Sequence, residues 1–393
     1  MPIPPHVSTG SAAPVEARAG VRPGASEAPG TDTPTPGSTR FDRDPLTALQ
    51  AITAAQQLAF GPLAFQATSV MRDRGVLAAL AEAVPQGLPI EEVAATTGLS
   101  VYATRVLLEA GLGLHIVWRR DERFHLGKLG RFLLEDEMTR VNFDFTRDVC
   151  YQAAAHLDQS LCEGRPAGLR TLGPWATLYE GLSVLPEPAR RSWFAFDHFY
   201  SDQAFPAVCE RLAVDPPASL LDIGCNTGKW ARLCLERMPG CTVGLVDLAI
   251  QLDAARANLQ AAGLMTRVRC HPTDLLDPAA SLPPGYPLIW MSQLLDCFSQ
   301  EQIVAVLIKV RAALPQGGRL WILELFWDRQ RFEAAAFSLQ QTSLYFSCVA
   351  NGNSQMYDSK VFLALLHDAG FTVTRLTDGV GDYHTLVECS AAS

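Results

Sequence analysis

Two glycines and an acid within residues 219–230 have the types and spacing of a ligand site. The stretch reads Ser-Leu-Leu-Asp-Ile-Gly-Cys-Asn-Thr-Gly-Lys-Trp. The apolar run 220–223 has the length of a buried parallel strand, Gly224 lies where the chain must turn sharply, and Gly228 precedes a helix. Asp222 comes before the first glycine. Because a pyrophosphate prefers bare N–H groups and a helix N-terminus, this acid favours a ligand with a positively charged amino-acid end.

A second acid closes the next predicted strand. Asp247 lies nineteen residues beyond Gly228 and follows the strand 242–246. An acid at this strand tip is placed to bind two ribose hydroxyls. After a third strand, 267–270, an acid with an apolar neighbour could bind an adenine amino group and one face of its ring. The residues predicted to bind the cofactor are thus Asp222, Gly224, Asn226, Gly228, Asp247, Leu248, Asp274 and Leu275.

Predicted strands alternate with helices from residue 216 to residue 393. This alternation predicts an α/β fold with a mostly parallel, Rossmann-like sheet that is covered on both faces. The final strands, 371–374 and 384–389, are separated by an Asp-Gly turn, which predicts that the last strand runs antiparallel.

The N-terminal third divides into a tail and a helical domain. Residues 1–40 are rich in Pro, Gly, Ser and Thr, which predicts a disordered tail. In residues 41–135, apolar-faced helices are followed by a helix, a turn, a helix capped by Ser100 and a hairpin at 116–124, the pattern of a winged helix. The dense apolar positions of residues 46–84 predict a homodimer, although a thick core would give a similar pattern.

DNA binding by this winged helix is disfavoured. A recognition helix needs basic and polar side chains, whereas residues 101–112 contain one Arg and one Glu among apolar residues and suit burial. The net charge of −9 also argues against nucleic acid, whose phosphates need clustered basic residues.

The cysteines and the apolar runs favour a cytoplasmic protein. The ten cysteines form no C-x-x-C pair and no Cys/His cluster at zinc spacing, which predicts reduced thiols and no metal site. No apolar run approaches about 18 residues, so no membrane-spanning helix is predicted. The first ten residues lack the features of a secretion signal.

Residues 136–215 are predicted to be a helical connector that contributes to the substrate pocket. The segment 196–202 mixes aromatic rings with polar groups, as substrate pockets do. His198 and Tyr200 are therefore candidate substrate-binding residues, although His198 also suits a structural, hydrogen-bonded role.

From Leu46 to Cys389 the chain resembles the two-domain class I O-methyltransferases that use S-adenosylmethionine (SAM), a family of plant caffeate and bacterial polyketide-tailoring enzymes. The resemblance rests on the motif at 222–228, Asp247 and the winged-helix region. It implies SAM as the cofactor and a homodimer whose winged-helix domain closes the partner's substrate site. Ser292 falls where many members place a Lys beside the cofactor, which adds it to the predicted cofactor residues.

The catalytic histidine of this family is missing. Members carry His after the fourth strand, whereas the aligned run 295–299 reads Leu-Asp-Cys-Phe-Ser. Asp296 stands at the base position, Glu324 matches a Glu that braces the histidine, and Met356 replaces the second bracing Glu. An ordinary Asp, with a pKa of about 3.9, is a weak base for a phenol. Burial or Glu324 could raise that pKa, or Asp296 could orient a hydroxyl or have a structural role.

The segments 292–299 and 343–357 resemble a bacterial subgroup associated with aryl polyene and xanthomonadin-type pigment clusters. This implies a hydroxylated aromatic acid, free or carrier-bound, as the methyl acceptor. Tyr345 and Asn351 could bind its phenol or carboxyl end, or the polar loop that contains Asn351 could cap a helix.

The leading hypothesis is SAM-dependent O-methylation of a small hydroxylated aromatic or polyketide-like acceptor. Alignment of acceptor and methyl group can supply several kcal/mol without a base. The alternatives are C-methylation of a phenolic ring and, since the histidine is missing, a SAM-binding relative that no longer methylates. A DNA-binding regulator is the least favoured reading.

Overall fold

The computed structural model describes Phe41 and residues 43–392. The predicted tail, residues 1–40, lies outside the described residues, and the domain boundaries near residues 136 and 216 stay predictions. The N-terminal region begins with capped helices: Thr47 forms a capping box on the first, and the Ser100 hydroxyl accepts a hydrogen bond from the Ala103 amide at 3.1 Å. Its elements are α1 (Ala48–Ala59), α2 (Gly61–Asp73), α3 (Val76–Glu82), α4 (Ile90–Thr97), α5 (Val101–Gly113), β1 (Val117–Arg120), β2 (Arg123–Leu126) and α6 (Lys128–Glu135).

The predicted winged helix is confirmed. Helices α4 and α5 precede an antiparallel hairpin of β1 and β2, whose turn residues Asp121 and Glu122 have φ of 47° and 59°, as in a type I′ turn. The burial predicted for α5 is wrong for the single chain. Leu108 is fully buried, but Tyr102 is 78% exposed and Val106 46% exposed, because only one side of α5 packs on the N-terminal core.

The connecting region is helical, as predicted, and ends in a long helix. Helix α10 has 24 residues, about 36 Å of rise, and packs against α7 and α11. Neither it nor another helix in the described part is both long and apolar enough to cross a bilayer. The elements are α7 (Glu137–Phe145), a π-helical turn (Thr146–Cys150), α8 (Leu157–Glu163), α9 (Leu178–Gly181) and α10 (Ala189–Leu212).

Seven strands form the predicted Rossmann-like sheet. The order is β5-β4-β3-β6-β7-β9-β8, with parallel pairing from β5 to β7. Strand β9, the last in the chain, is antiparallel as predicted and lies between β7 and β8. The elements are β3 (Ser219–Ile223), α11 (Lys229–Arg237), β4 (Thr242–Asp247), α12 (Ala249–Ala261), β5 (Val268–Pro272), β6 (Leu288–Ser292), α13 (Gln300–Ala313), β7 (Arg319–Glu324), α14 (Glu333–Tyr345), α15 (Ser359–Asp368), β8 (Phe371–Val380) and β9 (His384–Ala391).

The strand order reverses at β3. The chain moves from β3 to β4 and β5 on one side and then returns to β6 on the other side. At such a switch point the connections diverge and leave a crevice at the carboxyl ends of the strands. Beneath it the sheet is packed on both faces: Leu221 joins the core under α13, and Trp230 stacks on Trp290 at 4.2 Å on the opposite face. The fold thus presents the end of β3 on a rigid base.

Candidate active site

The turn after β3 requires glycine. Gly224 has φ of 77°, in the left-handed region, and a Cβ atom there would lie 2.8 Å from the side chain of Leu294. Its amide donates to the Val246 carbonyl at 2.8 Å, which fixes the turn against β4. Gly228 also has φ of 77°, but its missing Cβ faces Ala255 at 3.2 Å, so this glycine lets α11 approach α12.

A cavity of about 550 Å³ opens at the switch point. It lies between the ends of β3, β4 and β6, one face of α10, and the segment 177–182. Gly228 does not line the cavity, and the position of its missing Cβ faces α12. The other eight residues predicted to bind the cofactor do line it: Asp222, Gly224, Asn226, Asp247, Leu248, Asp274, Leu275 and Ser292.

Asp222 places a carboxyl group at the buried end of β3. The residue is 2% exposed, and its Oδ2 has no hydrogen-bond partner among the described residues. Burial, and then the charge of Asp247, raise the pKa of Asp222 well above its ordinary value. An ionised carboxylate at this buried position is poorly solvated, so a cationic partner would stabilise it strongly. This position therefore fits an ammonium group.

Asp247 is oriented by the backbone of both turns. Its Oδ2 accepts from the Asn226 amide at 2.9 Å, and its Oδ1 accepts from the Leu248 amide at 2.8 Å. Burial raises the pKa of Asp247, while these two bonds act in the opposite direction. A carboxylate has about four lone-pair positions, so it can accept from two further hydroxyls.

Other buried polar atoms of the cavity wall have no partner among residues 43–392. They include Oδ1 of Asn226 and Oγ of Ser292. Buried polar atoms in native proteins are nearly always hydrogen-bonded, so unpaired ones in a cavity wall point to a polar ligand. Asp274, in contrast, is exposed at the cavity mouth, and its Oδ1 accepts from the Leu276 amide at 2.9 Å.

The predicted substrate residues divide into two groups. His198 and Asn351 line the cavity. Tyr200 and Tyr345 do not, because both are buried and their hydroxyls are used within the protein. The Tyr200 hydroxyl donates to Asn142 at 2.9 Å, and the Tyr345 hydroxyl accepts from the Trp193 indole at 2.7 Å.

The Asn351 side chain mainly holds backbone. Its amide donates to the Cys297 carbonyl at 2.6 Å, and its Oδ1 accepts from the Ser354 hydroxyl at 2.8 Å. It follows a π-helical turn, Phe346–Ala350, at the end of α14. The hydrogen bonds of Asn351 are therefore made within the protein, as in the alternative that its loop has a structural role.

Neither predicted catalytic acid lines the cavity. Asp296 is 6% exposed, and Glu324 is 2% exposed. Glu324 accepts from the amides of Leu294 and Leu295 at 3.2 and 3.0 Å, so it braces the backbone after β6 rather than a histidine. Burial raises the pKa of Asp296 to about 6, and it raises that of Glu324 well above the usual value. Asp296 thus lies behind the cavity wall, which its neighbour Cys297 lines.

Further residues of α10 complete the cavity, and none of them was singled out from the sequence, although two lie within the segment 196–202 that was assigned to the substrate pocket. Trp193, Asp197, Ser201 and Phe205 all line it. They recur at every fourth position, which places them on one face of a helix. That spacing was the available signal, but the aromatic residues between them obscured it. Tyr179, beside the Cys297 thiol, was missed as well.

Family comparisons agree with this architecture. The Dimerisation2-like domain matches residues 52–124, and the O-methyltransferase domain matches residues 204–372. The L-tyrosine C(3)-methyltransferase of Streptomyces lavendulae is 24% identical over 72% of this chain and 78% of its own length. The 3-amino-4-hydroxybenzoate 4-O-methyltransferase of Streptomyces cremeus is 25% identical over 79% of this chain and 83% of its own length.

The fold is also found in solved structures. The SAM-dependent methyltransferase SibL, in its apo form, superposes with a TM-score of 0.67 and 25% identity, covering 87% of this chain and all of that one. Human N-acetylserotonin methyltransferase in complex with SAM superposes with a TM-score of 0.60 and 20% identity, covering 88% of this chain and 98% of that one. The second likeness is one of fold alone.

Replacing the buried acid should stabilise the ligand-free protein and weaken SAM binding. Because the pKa of Asp222 is raised, the unfolded chain releases this proton first, and the parent loses stability as pH rises above about 4. Asp222→Asn cannot ionise. We therefore expect its free energy of unfolding, measured by thermal denaturation without ligand, to exceed that of the parent by on the order of 1 kcal/mol at pH 7. The difference should be smaller at pH 5.

The same variant should bind SAM at least about tenfold more weakly by calorimetry, since an amide cannot pair with an ammonium group. Asp253→Asn, at a side chain that is 74% exposed, is the matched control and should match the parent in both measurements. A pH-independent gap together with parental affinity would contradict the assignment.

Proposed function

The chain belongs to the two-domain family of SAM-dependent O-methyltransferases, and we propose that it methylates a hydroxyl group of a small aromatic or polyketide-like acceptor. The observation that carries this proposal is the set of acids at the ends of consecutive parallel strands around one cavity. Their burial and their unpaired atoms suit a ligand that has a cationic end and a sugar.

The residues of the cavity fit SAM. Asp222 would hold its ammonium group, Asp247 its ribose hydroxyls, and Asp274 with Leu275 its adenine. Bound there, SAM supplies an activated methyl group. The chain itself orients that group, because the Gly224 turn brings backbone close to the cavity and both neighbouring strands are fully paired.

The other half of the cavity suits an aromatic acceptor. Tyr179, Trp193 and Phe298 contribute rings to its wall, and polar side chains lie among these rings, as in pockets for small aromatic molecules. The two Streptomyces relatives are named for acceptors that carry a phenolic hydroxyl. A phenol is therefore the proposed acceptor class.

C-methylation of a phenolic ring is the second candidate. It is favoured by the missing histidine at 295–299 and by the relative whose name gives the C(3) position of tyrosine as the target. A ring carbon ortho to a hydroxyl needs the same proton acceptor near that hydroxyl, so one cavity serves both chemistries. A carrier-bound acceptor, the link to pigment clusters and a cytoplasmic location stay predictions.

We expect the parent protein to form S-adenosylhomocysteine from SAM when a phenol is supplied, with L-tyrosine and 3-amino-4-hydroxybenzoate as the first two tested. Asp247→Ala should weaken SAM binding about 5- to 150-fold, because two hydrogen bonds to a carboxylate are worth about 1–3 kcal/mol together. Calorimetry gives the affinity, and chromatography gives the S-adenosylhomocysteine.

Carbon-13-labelled methyl groups identify the product bond by NMR, which separates O-methylation from C-methylation. Asp253→Asn again serves as the control for Asp247→Ala. No SAM binding by the parent, or equal binding by parent and Asp247→Ala, would refute the proposal.

The proposed assembly is a homodimer through α1 and α2. Their outward side chains are apolar and exposed in the single chain: Leu49 by 80%, Ile52 by 61%, Leu58 by 81%, Phe60 by 60% and Leu63 by 68%. Contiguous apolar patches of this kind mark protein interfaces, and the Dimerisation2-like match, which begins at Ile52, covers four of these five positions. A second copy is the occupant that a self-complementary patch fits.

Leu58→Glu combined with Leu63→Glu should convert the dimer to monomer at micromolar concentration, since each change buries a charge in the interface. Light scattering after gel filtration measures the mass. Val214→Glu, at an apolar residue 86% exposed elsewhere, should leave the mass unchanged. A monomeric parent, or a double variant that stays dimeric, would contradict this assembly.

A further inference from the structure

One carboxylate of α10 faces the cavity beside the cofactor turn. Asp197 lies on the helix face that also carries Trp193 and Ser201, and its side chain is 25% exposed. Asp296, the acid that the sequence placed at the base position, is 6% exposed and does not line the cavity. Of these two acids, Asp197 is the one that a ligand in the cavity can touch.

A single residue links Asp197 to the ribose-binding acid. The Asn226 side-chain amide donates to Oδ2 of Asp197 at 3.1 Å, while the Asn226 backbone amide donates to Oδ2 of Asp247 at 2.9 Å. Asn226 has φ of 47°, a conformation that Asn adopts more readily than most residues. One oxygen of Asp197 is thus fixed relative to the cofactor turn, and the other is left to a ligand.

Burial, and then the charge of Asp296 behind the cavity wall, raise the pKa of Asp197 to about 7, although Lys229 opposes the shift. A general base works best when its pKa is near the working pH. The titratable groups facing Asp197 are Asp296 from the segment after β6, Lys229 from α11, Tyr345 from α14, and His198 and Asp202 from α10.

His198 is less suited to take a proton from the acceptor. It lines the cavity, and burial lowers its pKa, so the ring is neutral at pH 7. Its Nε2, however, is buried without a hydrogen-bond partner in the described chain and lies 3.9 Å from Oδ2 of Asp197. This nitrogen is covered by protein atoms, whereas the carboxylate beside it is open to the cavity.

We propose that Asp197 accepts the hydroxyl proton of the methyl acceptor, a role that rests on the proposed function. The proton passes from the acceptor oxygen to a carboxylate oxygen of Asp197, and the electron pair left behind forms the bond to the methyl carbon. The bond between that carbon and sulfur breaks, and sulfur keeps its electron pair. A methyl ether, a neutral thioether and a protonated Asp197 result, so charge and atoms balance.

The test compares Asp197→Asn with Glu210→Gln, an exposed acid on the same helix and outside the cavity. For the phenol that the parent methylates best, kcat/KM is measured from pH 5 to pH 9. The parent should show a rising limb centred near pH 7, because Asp197 must be ionised, well below the phenol's own pKa of about 10. Asp197→Asn should lower kcat/KM about 10²- to 10⁴-fold and remove this limb.

Two binding measurements separate this role from a folding defect. Asp197→Asn should keep the SAM dissociation constant within about threefold of the parent's value, and it should weaken phenol binding to the S-adenosylhomocysteine complex about tenfold or more. Glu210→Gln should match the parent throughout. Asp296→Asn should shift the rising limb to lower pH, since it removes the charge that raises the pKa of Asp197.

A limb that persists in Asp197→Asn, or that disappears in His198→Gln instead, would overturn the assignment while leaving methyl transfer intact. If the parent neither methylates nor binds any phenol, the proposed function itself fails, and the role of Asp197 fails with it.

Discussion

The buried carboxyl group of Asp222 is the constraint on which the site depends. A fold gains no stability from an acid that is 2% exposed, with an unpaired oxygen and a second acid nearby. The surrounding structure must therefore hold it in place. Strand β3 is paired on both sides, and the turn that follows it requires glycine at position 224, because a Cβ there would lie 2.8 Å from the Leu294 side chain. The same unfavourable charge makes the end of β3 a strong site for a cation. The unpaired acid lowers the stability of the free protein, and a cationic ligand that pairs with it removes this penalty on binding.

Helix α10 converts a generic strand-end crevice into a specific cavity. Its face supplies an indole, a carboxylate, a hydroxyl and a phenyl ring at every fourth residue, and its length carries these groups from the N-terminal region to the sheet. Asn226 joins this helix to the turn after β3. Consequently a displacement of α10 would move its own side of the cavity and the side formed by the strand ends together.

In the segment after β6, Asp296 is buried away from the cavity, although the backbone around it is held in place. Glu324 still braces this segment, but through the amides of Leu294 and Leu295. Asp296 is buried and acts through its charge, which adds to the effect of burial on Asp197. The electrostatic field at Asp197 therefore depends on a residue that does not line the cavity.

Strand periodicity and glycine spacing were sufficient to predict the sheet, the turn at Gly224 and the clustering of the strand-end residues around one cavity, because parallel strands bring their carboxyl ends to one edge. The helical residues were harder. Tyr200 and Asp197 are three positions apart in an aromatic-rich helix, and sequence alone could not tell which one faces the cavity, since polar and apolar residues are mixed on all sides of α10. Exposure of Tyr102 on α5 depends on what covers the single chain, which local pattern does not specify.

Proton release on SAM binding tests the central claim most directly. If Asp222 is protonated in the free protein and ionises opposite an ammonium group, calorimetry at pH 7 in buffers of different ionisation enthalpy should detect protons released to the buffer, and Asp222→Asn should release fewer. Binding of SAM without proton release, or with equal release by parent and variant, would contradict the claim that this buried acid awaits a cation.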